Sequence, residues 1–367
     1  MKILSYIFIC ICVVSSTAYS LDTKDVSVSG HYLGFFNGIF QDNRTGSDAK
    51  RVGFDFAANV DIEWMLSPEF SGIVQFQGGA GGGALGHSGP GVVVTDLNLV
   101  YHPNDRPYTF TMGSFDMPFG MGTGDLTNNA DSFNNSFILN SLMYSALGGT
   151  VGSLNTLGVM GSHVCGIKNL TVAITNGTDE SATNADGNIA VAASLQTPPS
   201  FEHLQFSANY LASNDENTSG TSGLATNLRA WLFDAQWDVG KFTLKGYVGG
   251  LEFDDSAAGS ADNVNVWMGE IKRSHGLFYI AGQVSGWIPE DNSGNGLGMS
   301  ADLLNPGLGI TQGGTGILTD QDVTRYQIAL GHHCSENMIA SITYFVDDYA
   351  IQGADTSGGM FAINGRF

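Results

Sequence analysis

Sixteen segments of about 10 to 14 residues, each alternating apolar with polar or small residues, are joined by links that are short and long by turns. A period of two marks strands whose two faces meet different surroundings. The expected strands span 26–41, 52–65, 70–79, 92–102, 107–117, 152–164, 167–176 and 187–197 in the first half. In the second they span 201–212, 227–239, 242–253, 263–274, 277–287, 322–334, 337–348 and 358–367. Even strands are followed by tight links, among them Ser67-Pro68-Glu69, Gly240-Lys241, His275-Gly276 and Ser335-Glu336. Odd strands are followed by longer stretches such as 80–91, 118–151, 213–226 and 288–321. A β-sandwich has no reason to keep this rhythm. An all-β, transmembrane antiparallel barrel of 16 strands does, with 14 and 18 as neighbouring counts, because its turns are short on one side of a membrane and long on the other.

Faces follow wherever the alternation is clean. In the second strand Phe54, Phe56, Val60, Ile62 and Trp64 take the lipid side and leave Asp55, Asn59, Asp61 and Glu63 to the lumen. Trp231, Phe233, Trp237 and Val239 point outward, with Asp234, Gln236 and Asp238 inward. Leu204, Phe206 and Tyr210 alternate with Gln205, Ser207 and Asn209 in the same way. Asp55, Asp61, Glu63, Asp234 and Asp238 are therefore the lumen-wall candidates. Such a wall suits water rather than an apolar ligand cavity. Ser27–Phe40 and Lys241–Phe253 alternate too poorly for faces to be assigned.

Charged residues make up only 13% of the 367, and Gly reaches 50; soluble proteins carry about a quarter charged residues. Nothing after Leu21 approaches the 18 uninterrupted apolar residues of a membrane helix. Met1-Lys2, the apolar run Ile3–Val14 and the small-residue region Ser15–Ser20 read as a signal peptide over 1–20, leaving 21–367 as the barrel domain. Loss of Lys2 with that leader leaves 13 Lys and Arg against 35 Asp and Glu, a formal charge of −22. A nucleic-acid partner is excluded by this deficit, since phosphate binding needs a basic footprint. An exported protein is free to form disulfides. Cys165 and Cys334, however, fall in turns eight strands apart on opposite walls, so two free thiols are expected.

Charge is distributed unevenly between the two ends. The long outer loops carry carboxylates from Asp42 and Asp48, through Asp125, Asp131 and Asp254, Asp255 and Asp262, to Asp347, Asp348 and Asp355. Their only bases are Arg44, Lys50 and Arg51. Lys24, Arg106, Lys168, Lys241, Lys245, Lys272, Arg273 and Arg366 gather instead at or near the short-turn rim, while Arg229 and Arg325 sit near the outer ends of their strands. Acidic loops stay soluble; a mouth of one sign also concentrates cations, over a Debye length of about 8 Å. Both readings speak against an anion-specific pore, which needs rings of Arg or Lys. No loop has the ligand spacing of a Ca²⁺ or Mg²⁺ site.

The third long connection, 118–151, contains Phe133, Phe137, Leu139, Leu142 and Leu147 and is too apolar to lie in water. Folding inward would bury that surface and narrow the lumen; packing over the rim or a neighbouring subunit would bury it as well. On the inward-folded reading, Asp125 and Asp131 are constriction candidates, with Arg229 or Arg325 facing them across the water. The seventh connection, 288–321, is Gly-rich with little apolar content and reads as a lid or vestibule wall.

Two stretches resemble known proteins. Met360–Phe367, with Phe361, Ile363 and Phe367 on one face, resembles the C-terminal strand of bacterial outer-membrane barrels. That likeness implies Phe367 as an assembly signal for the barrel-assembly machinery. Met112-Gly113-Ser114-Phe115-Asp116-Met117-Pro118-Phe119-Gly120 resembles the G-x-F-x-x-P-F-G stretch of phosphate-selective porins of the O/P type. It is also similar to siderophore porins of the legiobactin-receptor type. Gly113, Phe115, Pro118, Phe119 and Gly120 carry the likeness: Pro118 ends a strand by withdrawing its N–H, and Gly120 permits the turn into a constriction loop. The resemblance implies a trimeric porin in the outer membrane of a Gram-negative cell, among lipid and lipopolysaccharide, without a cofactor. The phosphate-binding lysines of the O/P type have no counterpart, so phosphate selectivity is not implied.

Six of the eight histidines (His102, His163, His203, His275, His332 and His333) fall at the short-turn rim. His332-His333-Cys334 offers zinc-ligand types, but neighbours on a strand face opposite ways, so no metal is expected. Neither G-x-S-x-G nor HExxH occurs, and no catalytic residue is expected. The expectation is passive diffusion of small hydrophilic solutes, with a preference for cations. A substrate-specific uptake channel, for a ferric siderophore or similar nutrient, and a surface adhesin are the alternatives.

Overall fold

The computed structural model describes residues 25–42, 51–79, 91–104, 106–120, 155–165, 168–175, 189–197, 203–214, 227–255, 260–290, 322–350 and 355–367. The expected signal peptide, Asp125, Asp131 and nearly all of the third and seventh long connections lie outside these residues.

Sixteen strands form one closed antiparallel barrel. In chain order they are β1 (Val26–Asp42), β2 (Arg51–Ser67), β3 (Phe70–Gly79), β4 (Gly91–Tyr101), β5 (Tyr108–Asp116), β6 (Asn155–Cys165), β7 (Lys168–Thr175) and β8 (Ala190–Gln196). The second half continues with β9 (Leu204–Asn214), β10 (Asn227–Val239), β11 (Phe242–Asp255), β12 (Ser260–His275), β13 (Phe278–Pro289), β14 (Val323–Ser335), β15 (Met338–Tyr349) and β16 (Thr356–Arg366). Each strand pairs with its chain neighbours, and β1 closes the sheet against β16. The closing seam ends where Gly30 and Phe367 exchange two backbone bonds of 3.1 and 3.0 Å.

The expected count holds, and element boundaries move by a few residues. Several outer strand ends run further than the alternation indicates, so that Asp42, Asp254, Asp255 and Asp262 belong to strands rather than loops; Asp347 and Asp348, within the expected strand 337–348, are strand residues and not loop carboxylates. Backbone ladder bonds need no apolar side chain, so pairing continues past the band that the pattern marks.

Away from the turns, large exposed apolar side chains gather on one face of the sheet, the reverse of a soluble core. Trp231, Phe233 and Trp237 of β10 are 40%, 55% and 48% exposed, whereas Ala230 and Leu232 between them are buried. The two poorly alternating segments are oriented in the same way. Val28, Tyr32, Phe36 and Phe40 of β1 and Phe242 and Val248 of β11 lie on the exposed face, while Tyr247 is buried on the other. Their pattern is faint because glycine occupies outward positions such as Gly30, Gly34, Gly246 and Gly250, and at some of these an aromatic ring lies over the glycine, Phe367 at Gly30 and Trp231 at Gly250. Trp64 lies over its cross-strand partner Gly72, Trp231 over Gly250 and Trp267 over Gly286. A Cβ added at any of the three would sit within 2.5 Å of the indole.

The tight links follow from backbone chemistry. Val239 pairs with Phe242 and His275 with Phe278, each across a two-residue loop. Gly240 and Gly276 begin those loops at φ 62° and 58°. That left-handed start gives the primed hairpin turn whose twist matches the strands.

Candidate channel lining

Side chains opposite the apolar face line the lumen, and their polar groups join across strands. On β2 and β3 the Gln75 amide donates to Asp61 Oδ1 at 2.7 Å. On β8 to β10 Ser194 donates to Asn209 Oδ1 and Ser207 to Asp234 Oδ1, both at 2.6 Å. Asp238 accepts from Gln236 Nε2 at 2.9 Å and from the Thr243 hydroxyl. Of the five expected lumen-wall residues, Asp61, Asp234 and Asp238 therefore stand on hydrogen-bonded inner rows, and Glu63 is exposed on the same face. Asp55 shares the register parity of Asp61 on β2.

A row missed from the sequence crosses β12 to β14. Gln327 Nε2 donates to Gln283 Oε1 at 2.9 Å, and Gln283 Nε2 donates to Glu270 Oε2 at 3.1 Å. The signal was available as single glutamines alternating with apolar residues. None of these strands carries a run of carboxylates to mark its inner face.

The two arginines expected to face the pore divide. Arg229 has the parity of Trp231 and Phe233, so it lies on the outward face, where Nη1 pairs with Glu252 Oε1 at 3.5 Å. The expectation that it faces lumen carboxylates is wrong for this strand, because one residue of register sets the side. Arg325 does point inward, but it already has a partner. Its Nε and Nη2 donate to Asp347 Oδ1 and Oδ2 at 2.6 and 2.8 Å, with both residues buried at 1% and 0% exposure. The guanidinium also lies 5.0 Å from the Phe345 ring centre.

The resemblance motif has a physical basis at the exit from β5. Gly113 adopts φ 130°, and a Cβ there would meet Leu97 O at 2.2 Å, so only glycine lets β4 approach this closely. Phe115, Met117 and Phe119 are 3%, 3% and 0% exposed, and Gly120 turns at φ 80°. The Gly120 carbonyl accepts from Gln196 Nε2 on the inner face of β8 at 3.4 Å. β8 stands three strands from β5, roughly 14 Å along the sheet. Residues 116–120 can span about that distance only when extended. The first residues of the third connection thus leave the wall and cross the inner surface.

At the short-turn rim, His332 packs beside outward Phe278 and His333 beside inward Tyr279, with ring centres 4.5 and 5.9 Å apart. Among the described residues no three His, Cys, Asp or Glu converge as a metal site. Cys334 is a free, exposed thiol.

The architecture defined here, a 16-stranded closed barrel with an apolar exterior and a polar lumen, is the porin fold. No family model matches the chain, and no curated protein is found similar to it. Solved structures match over nearly all of it. OprB of Pseudomonas putida aligns with a TM-score of 0.65 at 12% identity, covering 96% of this chain and 97% of that one. An anion-selective porin from Comamonas acidovorans gives 0.62 at 9% identity, with 93% and 99% covered. The outer membrane protein OmpT of Vibrio cholerae, in its trimer form, gives 0.58 at 12% identity, again with 93% and 99% covered.

Proposed function

We propose that this chain is an outer-membrane porin of a Gram-negative cell, a homotrimer that passes small hydrophilic solutes by diffusion and prefers cations. The observation that carries the reading is the sign of the lumen wall. Asp61, Glu63, Asp234, Asp238 and Glu270 face inward, and the buried base Arg325 is neutralised by Asp347. Lys245 and Lys272 share the inner face, which leaves carboxylates in excess there. A wall of one sign in a narrow, water-filled passage enriches the opposite ion. The fold alone does not choose that sign, since a neighbour of the same fold is named an anion-selective porin.

In this reading the third connection continues inward from Gly120 and narrows the lumen, with Asp125 and Asp131 at the constriction. No cofactor and no catalytic step enter: the channel acts through geometry and field. The C-terminal strand with Phe367 is the contact for the barrel-assembly machinery. Single-channel recording in a salt gradient tests the proposal. Ohmic steps with a reversal potential on the cation side are expected, and deletion of 125–151 enlarges them. A reversal potential on the anion side removes the cation preference. Absent steps together with saturable uptake of one ligand would replace the porin by a substrate-specific channel.

A further inference from the structure

The outward face of β12 to β16 is not a uniform apolar wall. A groove of about 720 Å³ runs along it at the short-turn end, within the roughly 300–1,000 Å³ of sites that hold small ligands. Ile280, Leu330, Ile342 and Phe361 form its sides, and all four are exposed by 44% to 60%. The floor is low: Ala340 leaves room where Ile342 carries a larger side chain, and beside it lies the Gly331 backbone, whose inner side the Tyr279 ring covers.

Its rim end is basic. Arg273, His275 and His332 line it there. The Arg273 guanidinium lies 5.6 Å from the Phe242 ring centre and so stands at the edge of the apolar band. Among the described residues no carboxylate lies within ion-pair distance of it. Arg229, outward at the opposite end of the barrel, has Glu252 as its partner. A cation held over an aromatic ring at a lipid boundary, above an apolar furrow, is matched by one kind of molecule. We infer that the groove binds an anionic glycerophospholipid of the leaflet on the short-turn side, with its phosphate on Arg273, His275 and His332 and an acyl chain over Gly331 and Ala340. Basic clusters beside membrane-spanning elements hold phospholipid headgroups by the same electrostatics.

The test is native mass spectrometry of the folded barrel from nanodiscs of equal phosphatidylglycerol and phosphatidylcholine. Heat-modifiable gel mobility verifies folding of every variant. Wild type is expected to retain phosphatidylglycerol preferentially. Arg273→Gln lowers that retention about fivefold, the triple change with His275→Gln and His332→Gln abolishes the preference, and Arg229→Gln leaves it intact. Ala340→Leu, which fills the floor, releases both lipids. Equal retention by wild type and the triple variant overturns the proposal, as does an equal loss in Arg229→Gln, which would make the effect one of general surface charge. A shift in oligomer mass without a change in lipid overturns it in favour of a subunit contact. Conductance plays no part in the readout, so this result and the porin reading fail separately.

Discussion

Arg325–Asp347 and Arg229–Glu252 are the same chemistry on opposite sides of one sheet. Each is a register pair across two adjacent antiparallel strands near the outer rim. The inward pair is bidentate with contacts of 2.6 and 2.8 Å, and both residues are buried; the outward pair is a single 3.5 Å contact with side chains 61% and 46% exposed. Strand parity alone separates them, and it decides what the charges do. A buried pair is an electrostatic commitment, because either member left alone is an uncompensated charge. An exposed pair is screened and contributes little.

The largest way to break that contrast is Asp347→Ala, which removes the bidentate carboxylate from the buried Arg325 guanidinium. Breaking a buried pair costs about 3–5 kcal/mol, to be read as a lower urea midpoint of the barrel in detergent. The double variant Arg325→Met, Asp347→Leu should recover most of the loss; if it does not, the pair holds more than its own charge. Gly113→Ala comes next, through positive φ and overlap with Leu97 O, and should cost roughly 1–3 kcal/mol. Gly269→Ala is its control, since nothing lies within 4 Å of a Cβ there. Glu252→Gln on the outward pair should change the midpoint by less than about 1 kcal/mol, and a larger effect would show that its exposure understates the contact. Glu63→Gln with Asp238→Asn should leave stability nearly unchanged yet move the reversal potential toward zero. An unmoved potential would take those carboxylates out of the ion path.

The sequence made the sheet legible because period two and the long-short rhythm are properties of every strand at once. Trp231, Phe233 and Trp237 gave their face directly, and the same parity carried two residues further would have placed Arg229 outside. Proximity to the strand end hid that, since a terminal arginine reads as belonging to the mouth. Gly250 and Gly365 blurred their strands for another reason: the rings that cover them, Trp231 and Tyr32, come from the neighbouring strand. A single-strand pattern contains no such information. The Gln327–Gln283–Glu270 row was equally invisible, because its members lie 13 and 44 residues apart. Within the motif, the shape of Gly113 and Gly120 was only half readable: the turn at Gly120 follows from local chemistry, whereas Gly113 answers to the backbone of β4.

The indole-over-glycine pairs have a consequence for how neighbouring strands find their alignment. Were β10 to slip by two residues against β11, the smallest shift that keeps its faces, the Trp231 ring would meet the side chain of Val248 or Glu252 rather than the open space at Gly250, and the two could not both stay flat against the sheet. Trp64 with Gly72 and Trp267 with Gly286 impose the same condition elsewhere on the circumference. Misalignment is thereby penalised locally, at separate places around the wall, before the last seam has closed.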